Sequence, residues 1–290
     1  MSITDGLRPD ESRLKDSLPS AGTSSVSSRR KNDSSLLQLY QGAAQWTVGI
    51  LVPAFLVILW EGFAQAGLLP PNMLPAPSKV LLTIVDLYSR GELVDHIGIT
   101  LYRVFAGFLI GTFTATVLGI STGYSPLFRR LFDPLLQGLR NIPSMAWVPL
   151  FLLWMGIEET SKIMLIAVGV FFPVYLNLMT GLQNVDRKLV EVGRVYGLRG
   201  LQLIRRIYLP ATIPAYMTGL RSGLGLGWMF VVAAEIMGAS KGLGYLMTDG
   251  QMTGRPAIIL GSIILFAVFG KLTDMIVEML AERLVSWQKQ

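Results

Sequence analysis

The sequence predicts an all-α membrane protein, a polytopic bundle of about six transmembrane helices. Three observations carry this expectation. Hydrophobic residues make up 51% of the 290, mean hydropathy is +0.51 and charged residues reach only 15%, against about 25% in ordinary soluble domains. Apolar runs recur along the chain at close to the ~20 residues that cross a bilayer. Lys and Arg gather in alternate connecting segments, as they do in cytoplasmic loops.

Residues 1–40 are polar and Ser-rich (SLPSAGTSSVSSRRKNDSS). They hold no apolar run for a cleavable signal and too little apolar surface for a core, so they read as a disordered cytoplasmic tail. Residues 41–92 hold a first span, Trp46 to Trp60 and on to about Leu69, with Pro53 inside it. A periplasmic segment follows, LPPNMLPAPSKV and a short amphipathic stretch at Val80–Tyr88. The core is residues 93–280. Its second span is Ile97–Ile120, with Arg103 near one end; the third is Leu131–Ile157, which contains Asp133, Arg140 and three prolines and so reads as broken or tilted. Ile163–Leu182, Ala211–Ala234 and Ala257–Leu280 are the fourth to sixth spans, and 281–290 a C-terminal tail. Sixteen Lys and Arg fall on the side of the two tails and of loops two–three and four–five, against five on the other side. Both termini are therefore expected in the cytoplasm.

Small residues recur every four positions in span two (Gly107, Gly111, Ala115, Gly119) and span five (Gly219, Gly223, Gly227). Such stripes let helix backbones approach closely, and packing within the chain is the expected use.

Composition also excludes chemistry. Without cysteine, and with His96 the sole histidine, thiol nucleophiles, disulfides and Cys/His metal sites are out of reach. No metal site is expected, and His96 reads as a solvated residue at the start of span two. The +6 charge follows the loops and does not call for nucleic acid. No G-x-x-x-x-G-K-[ST] phosphate loop is present, so the chain is expected to have no ATPase site of its own and no cofactor.

Loop four–five, residues 185–214, is too patterned for a plain connector. Leu189, Val192 and Val195 share one helical face, as do Leu201, Ile204 and Ile207. Gly197-Leu-Arg-Gly200 makes a turn between two short helices. Asp186 reads as the N-cap of the first, and Pro210 and Pro214 as the stop of the second. Within this elbow lie Glu191-Val192-Gly193, three residues, Gly197, nine residues, Ile207, one residue and Leu209-Pro210.

That spacing resembles the Glu-Ala-Ala loop of binding-protein-dependent ABC importer permeases, with Val192 and Gly193 in place of the two alanines. The stretches LQGLRNIPSMAWVPLFLLWMGI, GVFFPVYLN, VDRKLVEVGRVYGL and AEIMGASKGLGYLM are similar to the nitrate/sulfonate/taurine branch, most of all to aliphatic sulfonate permeases. The resemblance implies a type I importer permease fold in the bacterial inner membrane. It implies that ATP is bound by separate cytoplasmic ABC ATPase subunits, that an external substrate-binding protein delivers solute, and that a second permease copy completes the pore. The elbow would be the coupling element, with Glu191, Val192, Gly193, Gly197, Ile207, Leu209 and Pro210 as its motif positions and Glu191 fixing it by polar contact.

Pathway candidates come from polar groups within apolar spans, which are functional by default. They are Arg140, Asn141, Pro143 and Ser144 in the broken third span, Asn177, Arg221 and Glu235. Arg103 joins Arg140 and Arg221 as a source of positive potential for an anionic solute, although snorkelling to the cytoplasmic headgroups is the plainer account of Arg140 and Arg221. An ion-gradient-driven transporter is the alternative. It would rely on Glu61, Glu235, Asp274 or Glu278 as proton or ion sites.

Overall fold

The computed structural model describes residues 51–143 and 146–285, with side chains to 283. The chain divides into two units, residues 1–60 and 61–290. Helix α1 (Leu51–Gln65) begins in the first, where its apolar side chains are exposed. The expected tail and the start of the first span lie outside the described residues.

Among its described residues the second unit has helices joined by turns and no strand. After α1 come α2 (Pro77–Ser89), α3 (Glu92–Tyr124), α4 (Pro126–Arg140), α5 (Trp147–Met155), α6 (Glu159–Gln183), α7 (Arg187–Val195), the single turn α8 (Leu201–Leu203), α9 (Leu209–Gly238), α10 (Leu243–Met252) and α11 (Pro256–Val285). Four helical stretches are long and apolar enough to cross a membrane: Glu92–Tyr124, Glu159–Gln183, Leu201–Gly238 and Pro256–Arg283. These are the expected second, fourth, fifth and sixth spans. The third is two helices of 15 and 9 residues, neither long enough to span. Asn141 caps the first by backbone bonds to Gly138 and Leu139, and Pro143 follows in the break. Helix α4 is amphipathic, with Arg129, Arg130 and Asp133 among apolar residues, a pattern suited to an interface.

Helix α6 is the centre of the bundle. A Cβ on Gly107 would fall 2.6 Å from Ile166, and one on Gly111 2.5 Å from the Ala167 carbonyl oxygen. From the other side, a Cβ on Gly219 or Gly223 would reach Asn177 or Val174 at 2.9 Å. The two glycine stripes therefore clasp α6 between α3 and α9, and the expectation of intrachain packing holds. Val170, Val174, Tyr175 and Leu178 of α6 are almost wholly buried between them. The Thr116 and Tyr216 hydroxyls share a 2.8 Å hydrogen bond between α3 and α9. Trp228 Nε1 donates to Thr273 Oγ1 at 2.9 Å and ties α9 to α11.

Helices α3, α6 and α11 run parallel and α9 antiparallel to them, which gives the bundle two ends. At one lie the starts of α3, α6 and α11, the end of α9, and α10. At the other lie the ends of α3 and α6, the start of α9, and α7.

Candidate functional site

The elbow is built from local rules. The Asp186 carboxylate accepts the Lys188 N–H at 2.9 Å and caps α7. At the other end the chain turns back at Gly197, whose φ is +78°, a conformation that penalises any Cβ. Leu198 N donates to Gly193 O, and Gly197 N to Arg194 O, both at 3.0 Å. Together these bonds form a Schellman closure. Gly193 is the contact point between the limbs, since a Cβ there would lie 2.9 Å from Leu203 and 3.1 Å from Ile207.

The structure assigns the elbow's faces and changes one expectation about it. Its inner face is Val190, Gly193 and Leu203, all buried, whereas Leu189, Val192, Val195, Tyr196 and Leu201 are exposed. The apolar face of Leu189, Val192 and Val195 points away from the bundle. Pro210 and Pro214, expected to stop the second limb, do not. It passes through a π-helical turn at Ile204–Tyr208, in which Leu209 N bonds Ile204 O, and runs straight into α9. The wider turn accommodates the ring of Pro210 at the start of α9. From Leu201 to Gly238 the helix is continuous over 38 residues, about 57 Å at 1.5 Å per residue. Glu191 is exposed and makes no polar contact with the described residues, so none of them fixes the elbow through it.

At the opposite end sits a charge network whose closure is not visible in the sequence. Arg103 is 1% exposed and Glu235 0% exposed. Arg103 grips Glu159 in bidentate fashion at 2.6 and 2.7 Å, and its Nη1 donates to Glu235 Oε1 at 2.8 Å and to Lys241 O at 2.7 Å. Glu235 also accepts from Thr100 Oγ1 at 2.7 Å and from the Gly244 N–H at 2.8 Å, in the first turn of α10. Gly242 and Gly244 leave the room this requires, because a Cβ on either would collide with Glu235. His96 is not a solvated residue. Its Nδ1 accepts the Gly242 N–H at 2.9 Å, and its ring stacks on Tyr245. A buried Arg near a glycine-rich loop and an inward Glu was the available signal. Their meeting across 132 positions was not.

The pathway candidates are scattered. Arg140, Asn141 and Pro143 are exposed in the α4–α5 break; Ser144 lies outside the described residues. Asn177 donates to the Pro173 carbonyl at 2.9 Å, in the seam where Gly219 meets it. Arg221 pairs with Asp274 at 3.0 Å and Glu278 at 3.2 Å, linking α9 to α11. Glu235 is wholly buried, held by Arg103, Thr100 and Gly244. Arg103, expected to offer positive potential, has its charge enclosed by Glu159 and Glu235. The carboxylates on which the ion-driven alternative relied are also engaged. Glu61 accepts from Ser78 N and Oγ at 3.0 and 2.7 Å, Glu235 holds Arg103, and Asp274 and Glu278 hold Arg221.

Two cavities are prominent. One, of about 580 Å³, lies between α2 and the α10–α11 hairpin and has mixed charge (Lys79, Asp86, Arg90, Asp249, Arg255). The other, of about 360 Å³, lies beside the elbow and is lined by Arg129, Arg187, Glu191 and Arg194 among others.

Residues 107–286 match the model of the family described as the inner membrane component of binding-protein-dependent transport systems. The chain belongs to this family. It is a membrane permease subunit of the ABC importer type. It is 41% identical over 243 residues to the "Putative aliphatic sulfonates transport permease protein SsuC" of Bacillus subtilis, covering 84% of this chain and 88% of that one. The Escherichia coli protein of the same name is 38% identical, covering 81% and 90%. The fold is like that of a chain of the MetNI methionine ABC transporter in inward facing conformations. There the TM-score is 0.55 at 19% identity, over 70% of the permease and 98% of the MetNI chain. Family membership implies ATPase and substrate-binding-protein partners.

Proposed function

We propose that this permease imports a small anionic solute, an aliphatic sulfonate first and taurine or nitrate next, across the bacterial inner membrane. Work is supplied through the elbow by a separate cytoplasmic ABC ATPase. The observation that carries the coupling role is the exposed apolar ridge of Leu189, Val192, Val195, Tyr196 and Leu201 around the Gly197 turn. Apolar side chains in this number outside the bundle, among Arg187, Lys188, Arg194 and Arg199, call for a protein partner. In this reading Glu191 finds its polar contact on the ATPase. Gly193 and Ile207 lock the two limbs, Gly197 permits the turn, and Leu209 and Pro210 begin the lever that carries displacement along α9. The similarity to SsuC proteins supports sulfonate as substrate. The Lys and Arg distribution supports cytoplasmic termini and a cytoplasmic elbow, with residues 93–280 as the permease core. The external binding protein then docks at the α10 end, and a second identical copy completes the pore. The break at Arg140–Pro143 and the Arg221 cluster are the chain's contributions to the pathway.

The test is reconstitution in proteoliposomes with the partner ATPase and binding protein, comparing wild type with Glu191→Lys and Gly197→Asp. Both variants should fold, and both should lose ATPase docking or uncouple hydrolysis from alkanesulfonate uptake. Unchanged docking and uptake would remove the coupling role. Uptake abolished by an uncoupler with ATP still present would favour the ion-driven alternative.

A further inference from the structure

The 360 Å³ cleft beside the elbow is walled by residues from separate segments: Tyr124 at the end of α3, Arg129 on α4, Arg187, Glu191 and Arg194 on α7, and Tyr208 in the π-helical turn. Three guanidinium groups face one carboxylate, an excess of two positive charges. Arg129 donates from Nε and Nη2 to the Thr122 and Gly123 carbonyls at 3.2 and 3.0 Å, and three of its five N–H groups remain. Arg187 and Arg194 make no side-chain hydrogen bond or ion pair with the described residues. Positions 187, 191 and 194 share one face of α7, so both unpaired arginines border the same space. Gly123 and Leu182, which also line it, lie at the ends of the α3 and α6 spans, the depth of lipid headgroups. Tyr124 and Tyr208 meet there edge to face at 5.6 Å, as aromatic residues gather at membrane interfaces.

We propose that this cleft binds the phosphate of an anionic phospholipid headgroup from the cytoplasmic leaflet, joining α4 to α7 and holding the elbow at a set angle to the bundle. The inference rests on the orientation proposed above. The chemistry recognised is a phosphate, with arginine forks as its partners; free phosphate is the other source of the same group.

Native mass spectrometry of the full-length permease, exchanged from micelles containing phosphatidylglycerol, phosphatidylcholine or neither, tests this. Wild type should retain phosphatidylglycerol over phosphatidylcholine. A charge-assisted hydrogen bond to the phosphate contributes at least about tenfold to affinity, so Arg187→Gln/Arg194→Gln should weaken retention about a hundredfold. The exposed pair Arg205→Gln/Arg206→Gln, with the same loss of charge outside the cleft, should leave retention unchanged. Equal retention of both lipids by wild type, or equal loss in both double variants, overturns the proposal. Displacement of the lipid by inorganic phosphate at equimolar concentration overturns the lipid source and makes this a free-anion site. Loss of ATPase association by Arg187→Gln/Arg194→Gln with lipid retention intact assigns these arginines to the partner and overturns the lipid site. Failure of the coupling reading would leave the adduct unchanged, because it is read on the permease alone.

Discussion

Replacing Arg103 with Met should be among the most destabilising single changes in the bundle, and the geometry says why. The guanidinium is 1% exposed and makes four hydrogen bonds. Its two carboxylate partners are not equivalent. Glu159 is 45% exposed and can rehydrate when Arg103 is gone, so its loss amounts to roughly 1 kcal/mol or less. Glu235 is 0% exposed. It would keep only the Thr100 hydroxyl and the Gly244 N–H as donors, with no countercharge. Stranding one member of a buried pair costs about 3–5 kcal/mol. For a chain of this size that lowers the unfolding midpoint by about 6–20 °C, at about 2–4 °C per kcal/mol. The double variant Arg103→Met/Glu235→Gln removes the stranded charge while leaving an amide oxygen to accept from Thr100 or Gly244. It should recover about 1–3 kcal/mol relative to the sum of the two single variants. The assay is thermal unfolding of the detergent-solubilised chain, with size exclusion to confirm that each variant starts folded. A drop below about 2 °C for Arg103→Met, or a double variant as unstable as the sum, would refute the reasoning.

Other outcomes follow from the same structure. Gly111→Ala drives a methyl against the Ala167 backbone oxygen and should cost about 1–3 kcal/mol, whereas Gly225→Ala meets nothing within 4 Å and should be neutral or stabilising; thermal unfolding separates them, and equal midpoints would remove the claim that the stripe clasps α6. Gly197→Ala finds open space but a φ of +78°, so it should cost about 1 kcal/mol through the backbone alone, read as a small midpoint shift without loss of expression. Because the chain lacks cysteine, Arg199→Cys and Met252→Cys can be labelled without background. An impermeant maleimide applied to intact cells should label only Met252→Cys, and the reverse pattern would invert the proposed orientation.

The fold class was legible in the sequence because crossing a bilayer imposes length and apolarity on contiguous residues, and contiguous properties survive in one dimension. The spans at α3, α6, α9 and α11 could be marked for that reason. The glycine stripes were readable too, since a repeat of four keeps small residues on one helical face wherever the helix goes. The charges and prolines of the third span show in the sequence that it is broken or tilted, but its resolution into α4 and a nine-residue α5 needs the structure. The elbow shows the boundary sharply. Its cap, its turn and its spacing of apolar residues are local, so Asp186, Gly197 and the Leu189–Val192–Val195 face could be identified. Which face meets the bundle is a relation between α7 and the second limb, set where Leu203 and Ile207 reach Gly193, and spacing alone cannot supply it. The same reason separates Arg103 and Glu235 as read from their appearance as a pair. Each looks like a stray charge in an apolar run, and burial becomes tolerable only because α3, α6, α9 and the Gly242–Gly244 segment converge to provide the other half of every bond. Sequence by itself determined the helices, their likeness to a transport family and the elbow's chemistry. Tertiary structure alone decided which charges are enclosed and which remain open to a partner, because desolvation and pairing depend on neighbours that lie far apart along the chain.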